Sequence, residues 1–313
     1  MEKVLITGIA GFIGSHLSDF LLNKKFDVYG IYYEPKVSLN FFDDRVKIYE
    51  CDIRDKGKLR NIIKDVNPSM IFHLAAQSYP VVSWEKPQET IEVNVIGTVN
   101  LFEIIKELNI DPVVLVACSS AEYGFVNSDE VPIKENRILK PLHPYGVSKV
   151  AQELLGYQYF KNDSIKSIMV RIFNTTGPRK VNDVCSDFTK KIVEIEVGKR
   201  HFLDVGNLES KRAIMDVRDL VNGLFLLIQN GNFGEVYNIS SDKVYRIGDL
   251  LEIMKKKSKK DFEVKRNSVL MRPTDEPIIF GDSSKLKEIT GWEQRIDIEK
   301  TIENMLDFWR EYV

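Results

Sequence analysis

Cysteine is scarce. Cys51, Cys118 and Cys185 are the three in 313 residues, odd in number and scattered along the chain. They show no Cys-x-x-Cys or metal-ligand spacing, so neither a disulfide framework nor a zinc site organises the fold. Each is expected to be a small buried hydrophobe in a reducing, cytoplasmic setting. A long apolar run is also missing, and nothing approaches the ~20 residues that span a bilayer. The N-terminal MEKVLITGIAGFIGSHLSDFLL is apolar but broken by Gly8, Gly11 and Gly14. It reads as strand, turn and helix rather than as a signal peptide. Charge of one sign is lacking too: 44 Lys and Arg against 46 Asp and Glu leave a net charge of −2. No bulk electrostatic pull toward nucleic acid or a membrane exists. The basic run KKKSKK (255–260) follows IGDLLEIM and reads as the lysine-rich end of a helix.

What is present is alternation. KVLITG, DVYGIYY, VKIYECD, MIFHLAA and VVLVACSS read as strands. Between them FIGSHLSDFLLNKK, KGKLRNIIKDV and TIEVNVIGTVNLFEIIKEL carry apolar residues at helical spacing. Strand and helix in alternation imply α/β architecture: a doubly wound, parallel Rossmann sheet with right-handed crossovers. After the helix YGVSKVAQELLGYQYFKN, the strand SIMVRIF continues it. Beyond Phe173 polar loops with Gly and Pro breakers begin, and a smaller C-terminal substrate-binding lobe is expected. The expected division places 1–173, with about 213–240, in the dinucleotide-binding domain. It places 174–212 and 241–313 in the lobe.

VLITGIAGFIG sets Gly8, Gly11 and Gly14 directly after a strand and before a helix. Such glycines permit a tight turn and a close approach of pyrophosphate to the helix N-terminus, with Phe12 and Ile13 opening that helix. Cofactor choice is read at the end of the second strand, where an acid holds the ribose diol of NAD and an Arg holds the 2′-phosphate of NADP. Here Tyr32 and Tyr33 precede Glu34, and Arg is missing. NAD(H) is favoured over NADP(H). Asp52 and Ile53, in YECDIRD, are candidates to contact the adenine.

PYGVSKVAQE places Tyr145 and Lys149 four residues apart on one helix face. A lysine ammonium beside a phenol is expected to lower its pKa toward working pH. The tyrosine then takes a proton from an alcohol, or returns one, while a hydride moves to or from nicotinamide. Ser119, in SSAEYG, is placed to hold the reacting oxygen.

Together with TGIAGFIG, FHLAAQS, EVNVIGTVNL, RIFNTTGP, VGNLESKRAIMDVRD and MRPTDEP, these residues resemble the extended short-chain dehydrogenase/reductase family over almost the whole chain. Within it, the last three motifs and AAQSYPVVSW are most similar to enzymes of GDP-mannose-type sugars: 4,6-dehydratases, 4-keto-6-deoxymannose reductases and GDP-heptose relatives. The resemblance implies a catalytic Ser119, Tyr145 and Lys149, and hydride transfer at sugar C4. It implies that Leu74, Ala75 and Ala76 line the cofactor and that Gln77, Ser78, Ser83 and Ser120 border the sugar or nicotinamide. Asn174, Arg212 and Arg272 would meet the diphosphate of a GDP-linked sugar, and Asp275 its ribose. KVNDVCSDF departs from the dehydratase pattern, which carries a basic residue there. The resemblance also implies a homodimer or homotetramer packed through TIEVNVIGTVNLFEII and YGVSKVAQELLGYQYF.

One position separates two reactions. A 4,6-dehydratase needs a base for the C5 proton and an acid for the departing C6 hydroxyl. In dehydratases a Glu two residues before the Tyr of YG serves this role. Here that position is Ala121, and Glu122 follows it. In an extended segment the two would point to opposite sides. Glu122 is expected to bond nearby backbone or to face away, which leaves 4-OH/4-keto oxidoreduction as dehydrogenase or reductase. A 4-epimerase or a 4,6-dehydratase remains an alternative, as does a non-catalytic nucleotide-binding protein, although such proteins usually lose the Tyr or the Lys.

Overall fold

The sheet forms because its inner strands are largely buried on both faces, as β-branched and other apolar runs permit. The computed structural model describes residues 1–270 and 278–313. Seven strands make one parallel sheet: β1 (Lys3–Thr7), β2 (Asp27–Tyr32), β3 (Lys47–Glu50), β4 (Met70–His73), β5 (Val113–Ser119), β6 (Ser167–Ile172) and β7 (Val236–Ile239). Their order is β7-β6-β5-β4-β1-β2-β3. Order reverses between β1 and β4, where a doubly wound sheet opens its ligand crevice. Thr7 pairs with His73, and His73 with Val116, so the carboxyl ends of β1, β4 and β5 form one edge.

Helices cover both faces. On one side Leu17, Leu21, Leu220, Leu224 and Leu227 pack on Val4, Ile6 and Phe72. On the other, Leu59, Ile63, Leu101, Phe102 and Tyr159 pack on Leu5, Ile71, Val114 and Val116. A separate apolar cluster joins the helices Val184–Glu196, Ile247–Lys257 and Ile298–Tyr312, with Ile192, Leu250, Met254, Ile302 and Leu306 at its centre. This cluster includes residues of Phe202–Val205, which pairs with Glu263–Arg266. Lys255, Lys256 and Lys257 end their helix, where its dipole favours cations. All three cysteines are free and buried. Among the described residues no helix is long and apolar enough to cross a membrane.

The segment read as one helix over TIEVNVIGTVNLFEIIKEL is interrupted. An α-helical turn at Pro87–Ile91 passes into a π-helical stretch, Glu92–Ile96, before Gly97–Leu108 resumes the α-helix. The extra residue turns Asn94 inward, where its Nδ2 donates to Ser148 Oγ at 2.8 Å and its Oδ1 accepts from Gln77 N at 2.8 Å. π-bulges of this kind concentrate at functional sites.

Candidate active site

The glycine turn is shaped for a close ligand. Gly8 has φ +75°, and a Cβ there would lie 2.8 Å from Ala75 N. At Gly14 a Cβ would meet Gly8 O at 2.4 Å. The helix Phe12–Asn23 then starts at Gly11 with no side-chain cap and no acid in its first turn. Its opening N–H groups are available to an anion, and this cradle fits a dinucleotide pyrophosphate. Leu74, Ala75 and Ala76 follow β4 along the same edge, half-buried.

Tyr32 ends β2, half-buried, and the exposed Glu34 follows with φ +47°. Glu34 pairs with Lys36 at 3.9 Å. Asp52 is not open: Arg54 grips its carboxylate at 2.6 Å and holds it below the usual carboxylate range, although burial opposes this. Ile53 is buried and would strike a Cβ at Gly97 at 2.5 Å.

Ser119 closes β5, and Tyr145 and Lys149 occupy the first turns of the helix Pro144–Asp163. His143 caps that helix, its Nδ1 accepting from Gly146 N at 3.0 Å. Ser119 lies beside the Tyr145 phenol and favours its ionisation. Lys149 Nζ donates to Ala117 O at 2.8 Å and stands 5.8 Å from the Tyr145 ring centre. The spacing expectation is met in position but not in charge balance. Burial dominates and pushes Tyr145 up to about 12, while the same burial pushes Lys149 down to about 8. A desolvated phenol with a lysine ring-width away does not ionise readily by itself.

The turn after Ser119 is a 3-10 turn, Ser120–Glu122, rather than an extended segment. Ser120 and Ala121 stay half-buried, whereas Glu122 is fully buried. Glu122 Oε1 accepts from Ser119 N at 2.8 Å, and Ser119 Oγ accepts from Ala121 N at 3.2 Å. Glu122 is thus turned into the protein by reciprocal capping.

The remaining expected residues fall in different settings. Gln77 is held by Asn94, Thr90 and Tyr79, and Ser78 is exposed. Ser83 is fully buried and donates to Pro80 O at 2.6 Å, because the short helix Pro80–Glu85 turns it inward. Asn174 keeps a buried Nδ2 that has no partner among the described residues, which suits a ligand oxygen. Arg212 lies on Lys211–Ala213, half-buried, with Nη1 donating to Lys211 O at 2.9 Å. Asp216 pairs with Arg218 at 2.6 Å. Arg272 and Asp275 lie outside the described residues.

Two features were not anticipated. Thr7, His73, Thr98 and Gln152 form a buried polar line behind the site, with His73 Nδ1 2.8 Å from Thr7 Oγ1 and Nε2 2.8 Å from Thr98 Oγ1. Periodicity counting passes over single polar residues inside apolar elements. The loop Gly177–Lys180 is also fastened to the glycine-turn helix: His16 Nε2 meets Pro178 O at 2.8 Å, Arg179 pairs with Asp19 at 2.8 Å, and Lys180 Nζ sits 4.6 Å over Phe12.

The geometry has counterparts. A family model described as GDP-mannose 4,6 dehydratase matches residues 5–305. The GDP-6-deoxy-D-mannose reductase of Pseudomonas aeruginosa is 27% identical over 100% of this chain and 98% of its own. The GDP-mannose 4,6 dehydratase 2 of Arabidopsis thaliana is 29% identical over 97% of this chain and 85% of its own. Among solved structures, RMD from Pseudomonas aeruginosa complexed with NADPH superposes with a TM-score of 0.85 at 25% identity, covering 100% of each chain. The UDP-glucose 4-epimerase of Thermotoga maritima with UDP-glucose reaches 0.89 at 25% identity, over 99% of each. The chain belongs to the GDP-mannose 4,6-dehydratase family of extended short-chain dehydrogenases/reductases.

Proposed function

We propose that this protein is an NAD(H)-dependent oxidoreductase of a GDP-mannose-type nucleotide sugar, hexose or heptose. It interconverts the 4-hydroxyl and the 4-ketone as dehydrogenase or reductase, without 4,6-dehydration. The observation that carries this reading is the pair Ala121 and Glu122. A methyl group stands where the elimination needs an acid, and the neighbouring carboxyl is fully buried and bonded to Ser119 N. The full-length likeness to a reductase agrees. The name of the family model and the Arabidopsis relative favour a second reading, a 4,6-dehydratase.

The cofactor would lie along Gly8, Gly11, Phe12, Ile13 and Gly14, its nicotinamide toward Ala75 and Ala76. When bound, it supplies the hydride acceptor or donor and, oxidised, a positive ring charge. Tyr145 exchanges the proton at the sugar O4, Ser119 holds that oxygen, and Lys149 supports the phenolate from the next helical turn. Asn174, Arg212 and Arg272 would hold the sugar diphosphate, and Asp275 its ribose. Guanidinium forks match phosphate oxygens. The exposed Glu34 and the lack of Arg at the end of β2 support NAD over NADP.

The apolar residues Ile96, Val147, Leu154 and Tyr157 are exposed on the two helical segments flanking the site. They support a homodimer packed there. A protein of this kind would work in the cytoplasm. A direct test supplies a GDP-linked 4-keto-6-deoxy sugar with NADH or NADPH. Reduction at C4 is expected; failure with both cofactors would contradict the reductase direction.

A further inference from the structure

We propose that Glu122 and Glu153 form a buried carboxyl–carboxylate pair, sharing one proton, that holds Ser119 in position against Tyr145. It rests on the reading of Ser119, Tyr145 and Lys149 as the reactive group, and extends it to a positioning residue one layer behind.

The donor count carries the proposal. Arg171 is buried and faces both acids. Its Nε donates to Glu153 Oε2 at 2.7 Å and its Nη2 to Glu153 Oε1 at 2.6 Å. Its Nη1 donates to the Tyr123 oxygen at 2.7 Å and to Glu135 O at 2.9 Å. Nε carries a single hydrogen, and Glu153 has it. Glu122 Oε2 lies 3.3 Å from that nitrogen yet receives no hydrogen bond from the described residues, while being fully buried. A desolvated carboxylate oxygen without a donor is costly. A carboxyl O–H there instead points its proton at Glu153, whose carboxylate offers an oxygen within 4.8 Å of one of Glu122's. One guanidinium then faces one negative charge rather than two.

The groups around Glu122 agree. Burial, then the Glu153 charge, hold Glu122 well above the usual carboxyl range. Cys118, on the strand before it, is kept a thiol by burial. Tyr145 and Lys149 face it from the long helix; an ionised Glu122 would raise both. Tyr123, beside it, stays a phenol, raised by burial to about 12. A neutral Glu122 still accepts from Ser119 N through Oε1, so it fixes the serine without adding a charge that opposes a tyrosinate.

The tests are Glu122→Gln, Glu122→Ala and Glu153→Gln in the full chain. Difference infrared at neutral pH should show a protonated-carboxyl band in the wild type that Glu122→Gln removes. Glu122→Gln should keep kcat within about threefold, since an amide replaces both contacts. Glu122→Ala should lower kcat by roughly tenfold or more, at unchanged KM for the nucleotide sugar. Glu153→Gln leaves Arg171 one acid, so Glu122 ionises; the infrared band disappears and the tyrosine limb of the pH profile moves upward. Absence of the band in the wild type overturns the proposal. So does a loss of about a hundredfold or more in Glu122→Gln, which would mark Glu122 as a proton-exchanging catalytic group. The infrared result stands even if the sugar or the reaction is another, so failure of the proposed function is read separately.

Discussion

Glu122 Oε1 accepts the backbone N–H of Ser119 at 2.8 Å, and this contact faces the sheet interior rather than the crevice. It decides which chemistry the edge of β5 offers. In the proposed function the crevice side presents the Ser119 and Ser120 hydroxyls, which can hold a sugar oxygen, and the Ala121 methyl, which can exchange no proton with C5. Acid–base work would then fall to Tyr145.

Tyr145→Phe should lower turnover by roughly 10²–10⁴-fold while nicotinamide cofactor binding persists. Fluorescence titration of the cofactor beside steady-state rates checks this. Retained turnover would remove Tyr145 from the mechanism.

Gly8→Ala forces a side chain at φ +75° and 2.8 Å from Ala75 N. We expect a cost of about 1–3 kcal/mol in stability and about tenfold or more in cofactor affinity. Thermal melts with and without NAD or NADP read both.

His73 is fully buried and neutral, its pKa lowered from 6.5 to about 3 by burial and then by Lys149. The unfolded chain takes up a proton below 6.5 that the folded chain refuses. The neutral imidazole therefore contributes stability above pH 6.5 that falls away between 6.5 and about 3. The slope is about 1.4 kcal/mol per pH unit. Urea unfolding of wild type and His73→Gln across that window should show the wild type losing stability more steeply. Parallel slopes would refute it.

Leu154 is 57% exposed on the outer face of the catalytic helix. Leu154→Glu should turn a dimer into a monomer in light scattering, with the monomer's fold unchanged by circular dichroism. A monomeric wild type would contradict the proposed interface.

Much of the fold was legible in the sequence. KVLIT, DVYGIY, KIYE, MIFH, VVLVACS, SIMVRI and VYNI are the seven strands, because buried parallel strands read as apolar runs. About 213–240 was expected in the dinucleotide-binding domain, and VYNI within it pairs with β6. The π-helical turn at Glu92–Ile96 was not legible, since its apolar spacing passes for α-helix. The turn at Ser120–Glu122 was read as extended. Glu122 does bond nearby backbone, as expected, through the capping box its carboxyl closes with Ser119. The pairing of Glu122 with Arg171 and Glu153 joins residues 31 to 49 positions apart, which spacing cannot anticipate. Burial, invisible in a helix-face pattern, is what moves Tyr145 upward.

The most direct measurement mixes purified protein with NAD and GDP-mannose or GDP-manno-heptose, and follows nicotinamide absorbance and product mass together. NADH formation with loss of two hydrogens from the sugar is the predicted result for the dehydrogenase direction. A product lighter by one water, with no net NADH, would contradict the account and restore elimination at the Ala121 edge.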